Sequence, residues 1–205
     1  PESAKKLGRE TYANYTRRVR ETVDSVKPGL PVFHNGGHIM AGRRDLANMN
    51  THLELESLPT GGWGYDHFPM SASYCRGLGM EIMGMTGKFH TSWGEFGGYK
   101  NPDALTYEVL MMGMFGACCS VGDHMPPSGK MDMATYKLIG QAYRALDAVE
   151  PWCYNAKPTA KLGVYLAGKD HSSSDEGLHR MLLEAHMDFE IALPGDDLST
   201  FETLV

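Results

Sequence analysis

The sequence predicts a parallel α/β architecture: the C-terminal half of a (β/α)8 TIM barrel followed by the start of a second α/β domain. Three observations carry this reading. Strand-like and helix-like segments alternate from end to end, as in parallel sheets joined by helical crossovers. The glycine-rich, polar and aromatic loops all follow strand segments, and in a barrel such loops build the active site at one end. Four barrel-like strands precede Pro151, whereas a whole barrel takes about 250 residues, so the 205 residues are expected to be a fragment of a longer chain. A free-standing open sheet is the alternative.

Taken in order, residues 1–26 place Leu7, Thr11, Tyr15, Val19, Val23 and Val26 at three- and four-residue steps, one stripe of an amphipathic helix. Arg17, Arg18, Arg20 and Glu21 form its solvated side, and Pro28-Gly29 stops it. LPVFHN (30–35) is an apolar strand ending in polar residues, then Gly36-Gly37; 39–50 is a weaker helix or loop. THLELE (51–56) alternates strictly, which puts His52, Glu54 and Glu56 on one face of a strand. Pro59 and Gly61-Gly62 break that strand.

A helix is expected over 68–79, with Tyr74 and Leu78 on one side, and a strand over 83–91. Residues 102–115 form a helix capped by Asp103 or Asn101. GACCSV (116–121) is a strand of small residues, and 131–149 a longer helix with Tyr136, Ile139, Tyr143 and Leu146 on its apolar stripe. Glu150-Pro151-Trp152 ends it. The expected domains are a barrel part over 1–152, a linker over 153–160 and a further unit over 161–205. That unit has a strand (162–167), an amphipathic helix (175–187) and a strand (189–193). No GxGxxG accompanies this β-α-β unit, so a nucleotide-binding role has little support.

Composition narrows the function. The chain is 42% hydrophobic with a formal charge of -6, an ordinary globular balance. No basic stripe suggests nucleic acid, and no apolar run approaches the ~18 residues of a membrane span. Cys75, Cys118, Cys119 and Cys153 form no CxxC and read as buried, reduced thiols of a cytoplasmic protein. Nine histidines are dispersed without ligand spacing, so neither a metal nor another cofactor is expected. The fourteen methionines read as core filler.

If the parallel order holds, four strand ends converge: His34-Asn35, Glu54 with Glu56, His90 with Trp93 and Glu95, and Asp123-His124. A carboxylate at a strand end, beside indoles on glycine-rich loops, suits a site that handles a sugar. Glu56 is the first candidate proton donor, because Glu54 on the same face raises its pKa; the alternative is a structural carboxylate paired with a cation. Glu95 is the rival, or a loop cap. Trp63 and Trp93 are candidates to stack on a sugar's apolar face. His34, Asn35, His90 and Asp123 are candidate hydrogen-bonding groups, and Glu54 and His52 lie deeper and orient Glu56.

The runs ESLPTGGWGY (56–65), TGKFHTSWGEFGG (86–98), GACCSVGDHMPPSGKMD (116–132) and EPW (150–152) resemble the second half of a glycoside hydrolase barrel. They are most similar to the α-L-fucosidase-like group, glycoside hydrolase family 151, related in fold to family 29. The stretch from Lys161 resembles the opening of the flavodoxin-like trimerisation domain of family 42 β-galactosidases. The resemblance implies retaining hydrolysis of an α-L-fucoside, with the nucleophilic Asp on a strand preceding Pro1 and the acid/base on a later loop. It also implies an oligomer, trimer or dimer, of the full-length protein, and an isolated segment without activity. Alternatives are a β-galactosidase-like enzyme with Glu95 as nucleophile, a non-catalytic carbohydrate-binding relative, and a metal-dependent barrel hydrolase.

Overall fold

The computed structural model describes residues 2–39, 43–166 and 172–205. Among the described residues, the strands of two three-stranded parallel sheets alternate with six α-helices. The order is α1 (Glu2–Val26), α2 (Arg44–Ala47), β1 (Leu53–Glu56), α3 (His67–Arg76), β2 (Ile82–Gly87), α4 (Pro102–Met114), β3 (Cys118–Gly122) and α5 (Met133–Cys153). Then come β4 (Leu162–Tyr165), α6 (Ser173–Glu184), β5 (Glu190–Ala192) and β6 (Thr203–Leu204). The first sheet runs β1-β2-β3, with Glu56 level with Met85 and Met85 level with Ser120. The second runs β5-β4-β6.

Both faces of β1 are closed in. Leu53 and Leu55 are fully buried and join Phe68, Ala72, Ile82 and Met112 in the core under α3 and α4. Glu54, on the opposite face, is buried too. Leu55 pairs with Gly84 across the ladder, and a Cβ on Gly84 would stand 2.7 Å from the Met112 side chain and 2.8 Å from the Phe68 ring. Glycine there lets both helices lie directly on β2. Val164 and Ile191 of the second sheet, Leu182 of α6 and Phe189 just before β5 belong to the same apolar cluster, so one core runs through both sheets. Arg76 of α3 donates to the Phe189 carbonyl at 3.2 Å, and Arg44 pairs with Asp196.

Several expectations are corrected. Residues 30–35 form no strand ladder: Val32 exchanges hydrogen bonds with Thr51 through its backbone and hydroxyl (2.8–2.9 Å), and His34 N–H donates to the Asn50 side chain at 2.7 Å. Side chains replace the partner strand, and Pro31 has no N–H to give. The apolar stripe of α1 packs on little of the core; Tyr15, Val19 and Val23 line an open groove, and Thr16 is the buried residue of the helix. The strand expected over 83–91 ends at Gly87, after which Lys88 N–H still reaches the Gly122 carbonyl.

Asn101, not Asp103, caps α4, accepting from Asp103 N–H at 2.8 Å. α5 continues through Pro151 to Cys153, because a proline this close to the end removes one terminal hydrogen bond while Tyr154 N–H still reaches Glu150. α6 starts earlier than expected, at a Ser172–Asp175 capping box. β6, which pairs with β4, has no counterpart among the expected strands. Of the helix or loop over 39–50, one helical turn forms at 44–47, and Met40, Ala41 and Gly42 lie outside the described residues, as does Ala167 of the expected strand 162–167.

Candidate active site

β1 carries Glu56 to the rim of the first sheet. Its backbone N–H donates to the Gly37 carbonyl at 2.9 Å, which ties the strand end to the Gly36-Gly37 turn. Gly37 has φ +72, and a Cβ there would lie 3.4 Å from Glu56 Oε2. The left-handed backbone favours glycine, and the missing side chain leaves the carboxylate room against the turn. Glu56 then lines an open hollow of about 610 Å³ with Asn35, Gly36, Gly37, His38, Trp63 and His67. Among the described residues no hydrogen bond or ion pair neutralises its carboxylate.

Glu54 stands two residues deeper, 4% exposed, with neither carboxyl oxygen hydrogen-bonded among the described residues. Burial first, and the Glu56 charge second, push it up to about 7. The carboxyl is therefore held partly as the neutral acid near neutrality.

The aromatic wall is continuous. Trp63, 40% exposed, meets His67 edge-on at 4.9 Å and Trp93 at 6.3 Å. Trp93 packs on Phe89 at 5.8 Å, its indole N–H buried without an acceptor among the described residues. It lies over the ends of β2 and β3: a Cβ on Gly87 would stand 2.9 Å from the indole, and one on Gly122 would stand 3.4 Å away.

The other sequence candidates fall in two groups. Asn35 and Trp63 share the hollow with Glu56. Glu95, His90, Asp123 and His124 gather instead in a neighbouring loop cluster. Glu95 accepts from the backbone N–H of His90, and from Thr91 N–H (2.8 Å) and hydroxyl (2.5 Å). These donors, the Thr91 hydroxyl foremost, hold its carboxyl below the usual range. Both oxygens cap their own loop, which makes Glu95 a poor proton donor. His90 is exposed. Asp123 accepts from His124 N–H at 2.7 Å and faces Lys88 at 4.0 Å. His124 lies 2.9 Å from the Gly94 carbonyl through Nε2 and stacks on Phe96 at 4.0 Å. His34 turns away from Glu56 toward Asn50, Tyr15 and a second hollow. His52 is occupied by Thr51 and the Phe33 ring.

Sequence reasoning missed His38 and His67 as members of this site. His67 contacts the Ser57 hydroxyl at 3.2 Å through Nδ1 and opens α3. It lies two residues beyond Tyr65, so extending the strand-end loop to the helix would have included it. A third omission is the ion pair of Lys100 with Glu108, both buried, with Thr86 donating to the same carboxylate oxygen. It supports β2 from α4 but faces away from the hollow. No group of three His, Cys, Asp or Glu among the described residues is arranged to hold a metal. No described helix is long and apolar enough to cross a membrane.

No protein-family model matches the chain, and comparison with curated protein sequences gives no match. A solved structure does match: α-L-fucosidase isoenzyme 2 from Paenibacillus thiaminolyticus is 54% identical, with a TM-score of 0.90. The match covers 97% of this chain and 32% of that one, so the chain spans about a third of the length of its structural relative. By sequence and by structure, the chain is α-L-fucosidase-like, similar to this glycoside hydrolase along almost its whole length.

Proposed function

We propose that this chain is part of a glycoside hydrolase that releases terminal α-L-fucosyl residues with retention, and that Glu56 is its acid/base. The observation that carries the reading is the Glu56 carboxylate, unneutralised at a strand end, in an open hollow walled by an indole. The likeness to an α-L-fucosidase supplies the substrate class. In the first step Glu56 gives its proton to the departing glycosidic oxygen while a carboxylate about 5–5.5 Å away attacks the anomeric carbon. In the second, Glu56 takes a proton from the water that releases the sugar. Glu54 sits behind it as a positioning residue, and its own buried carboxyl is the one raised to about 7, by burial first and by the Glu56 charge second. Trp63 offers a face to the sugar ring, and Asn35, His38 and His67 supply polar groups to its hydroxyls.

The order β1-β2-β3, parallel and sequential, supports the first three described strands as consecutive strands of a (β/α)8 barrel. The order β5-β4-β6 repeats the start of a doubly wound sheet and supports a flavodoxin-like second unit, of the trimerisation type, in an oligomeric protein. Four free cysteines are consistent with a cytoplasmic setting. Glu95 as nucleophile of a β-galactosidase-like reaction is less well supported, since both its oxygens serve the 90–95 loop.

The test is Glu56→Gln in the full-length protein with nitrophenyl α-L-fucoside and β-galactoside. Turnover of the α-L-fucoside should fall by about 10²–10⁴-fold, the usual scale of general acid–base catalysis, with sugar binding retained. Unchanged turnover removes Glu56 from the mechanism.

A further inference from the structure

Four of the seven residues around the Glu56 hollow, Asn35, Gly36, Gly37 and His38, come from a segment that belongs to neither sheet. Among the described residues, three anchors tie that segment to β1 and the chain leading into it. At the first, the Thr51 N–H takes the Val32 carbonyl at 2.8 Å, and the Thr51 hydroxyl bonds both the Val32 N–H and its carbonyl. At the last, the Gly37 carbonyl takes the Glu56 N–H at 2.9 Å. Between them, His34 is tied to the Asn50 side chain. This wall of the site therefore stands or shifts with a few side chains rather than with a sheet.

Asn50 is buried, and every polar site on its side chain is engaged. The amide nitrogen gives its two hydrogens to the Leu46 and Ala47 carbonyls, at 3.0 and 3.1 Å. The amide oxygen therefore faces His34, where it accepts the backbone N–H at 2.7 Å and lies 3.1 Å from Nδ1. With two donors and two acceptor sites in use, the amide has no second orientation of equal quality. One half of it grips the end of α2, and the other half holds a residue two positions before Gly36. Tyr15 packs edge-on against the His34 ring at 5.7 Å and steadies it from another side. The turn beyond lies directly against the carboxylate: Gly37 has φ +72, and a Cβ there would be 3.4 Å from Glu56 Oε2. Contact at that range leaves little slack. A turn displaced by about an ångström presses on the carboxylate or opens a gap beside it, and catalytic geometry is sensitive on that scale.

We propose that Asn50 is a positioning residue of the reaction: through His34 it fixes the Gly36-Gly37 turn against Glu56, and so aims the proton at the departing oxygen. The proposal rests on the function given above for Glu56. Proton donation matters most to a basic leaving group and least to an acidic one, whereas damage to the fold slows both alike. The test is the ratio of kcat/KM on 2-chloro-4-nitrophenyl α-L-fucoside to kcat/KM on phenyl α-L-fucoside, measured in the full-length protein. In Glu56→Gln the ratio should rise by about 10²-fold, and in Asn50→Ala by about tenfold. Asn50→Leu, of similar volume and without a hydrogen bond, should raise it likewise, and carries the test if the alanine variant does not fold. Thr51→Val loosens the same segment at Val32 but keeps the backbone bond there; it should lower the urea midpoint and leave the ratio within about twofold of wild type. An unchanged ratio in the Asn50 variants, or an equal rise in Thr51→Val, overturns the proposal. An unchanged ratio in Glu56→Gln overturns the assignment of Glu56 instead.

Discussion

Replacing Glu54 with glutamine should make the protein more stable at alkaline pH, and the size of the gain follows from the structure. The carboxyl is 4% exposed and lacks a hydrogen-bond donor among the described residues. Burial and the neighbouring Glu56 move it from its ordinary 4.5 to about 7. At 1.36 kcal/mol per pH unit, a displacement of that size is worth roughly 3 kcal/mol. The sign is set by proton binding: the folded state holds the proton more tightly than the unfolded chain. Stability from this group is therefore complete below about 4.5, declines as pH rises toward 7, and is fully lost above it. Glutamine has nearly the same shape and never ionises, so it escapes the decline. Urea unfolding of wild type and Glu54→Gln at pH 4 and pH 8 isolates the effect, since titrating groups not coupled to Glu54 cancel in the difference and the Glu56 charge that acts on Glu54 is part of the effect. The variant should gain about 3 kcal/mol relative to wild type between the two pH values, or roughly 6–12 °C in Tm for a domain of this size. A difference between the two proteins that is the same at both pH values would refute the reasoning.

Three further outcomes are expected. Lys100→Met leaves the Glu108 carboxylate buried beside Thr86 with its cation gone, and should cost about 3–5 kcal/mol in urea unfolding, partly recovered by adding Glu108→Gln; a loss under about 1 kcal/mol contradicts the buried pair. Glu95→Gln loosens the 90–95 loop, because an amide nitrogen cannot accept from the Thr91 hydroxyl; KM should rise with kcat little changed, and a fall in kcat of about 10²-fold or more would return Glu95 to the proton transfer. Gly87→Ala drives a methyl group within 2.6 Å of the Phe89 ring and 2.9 Å of Trp93, so tryptophan fluorescence should change and stability fall by about 1–3 kcal/mol; an unaltered spectrum and urea midpoint would show that the indole does not lie on the strand end.

Much of this was legible in the residues alone. The alternation in LELE, with glycines and indoles after it, was enough to put Glu54 and Glu56 on one face at a strand end, because a strand has a side-chain period of two whatever it packs against. The likeness to α-L-fucosidases was likewise carried by local runs of residues. What those runs did not contain was the partner of each side chain. Glu95 and Glu56 look alike along the chain, each within seven residues of glycine and tryptophan; folding turns one back onto Thr91 and its own loop, and leaves the other open beside Trp63. Residues 30–35 have the composition of a strand, yet Thr51 and Asn50 take their hydrogen bonds through side chains. Lys100 and Glu108, charged residues that composition assigns to the surface, are buried because each supplies the other's neutralising charge. Periodicity is a property of one segment and can be read from it. Burial, pairing and protonation are properties of two or more segments at a distance, and the tertiary structure alone decides them.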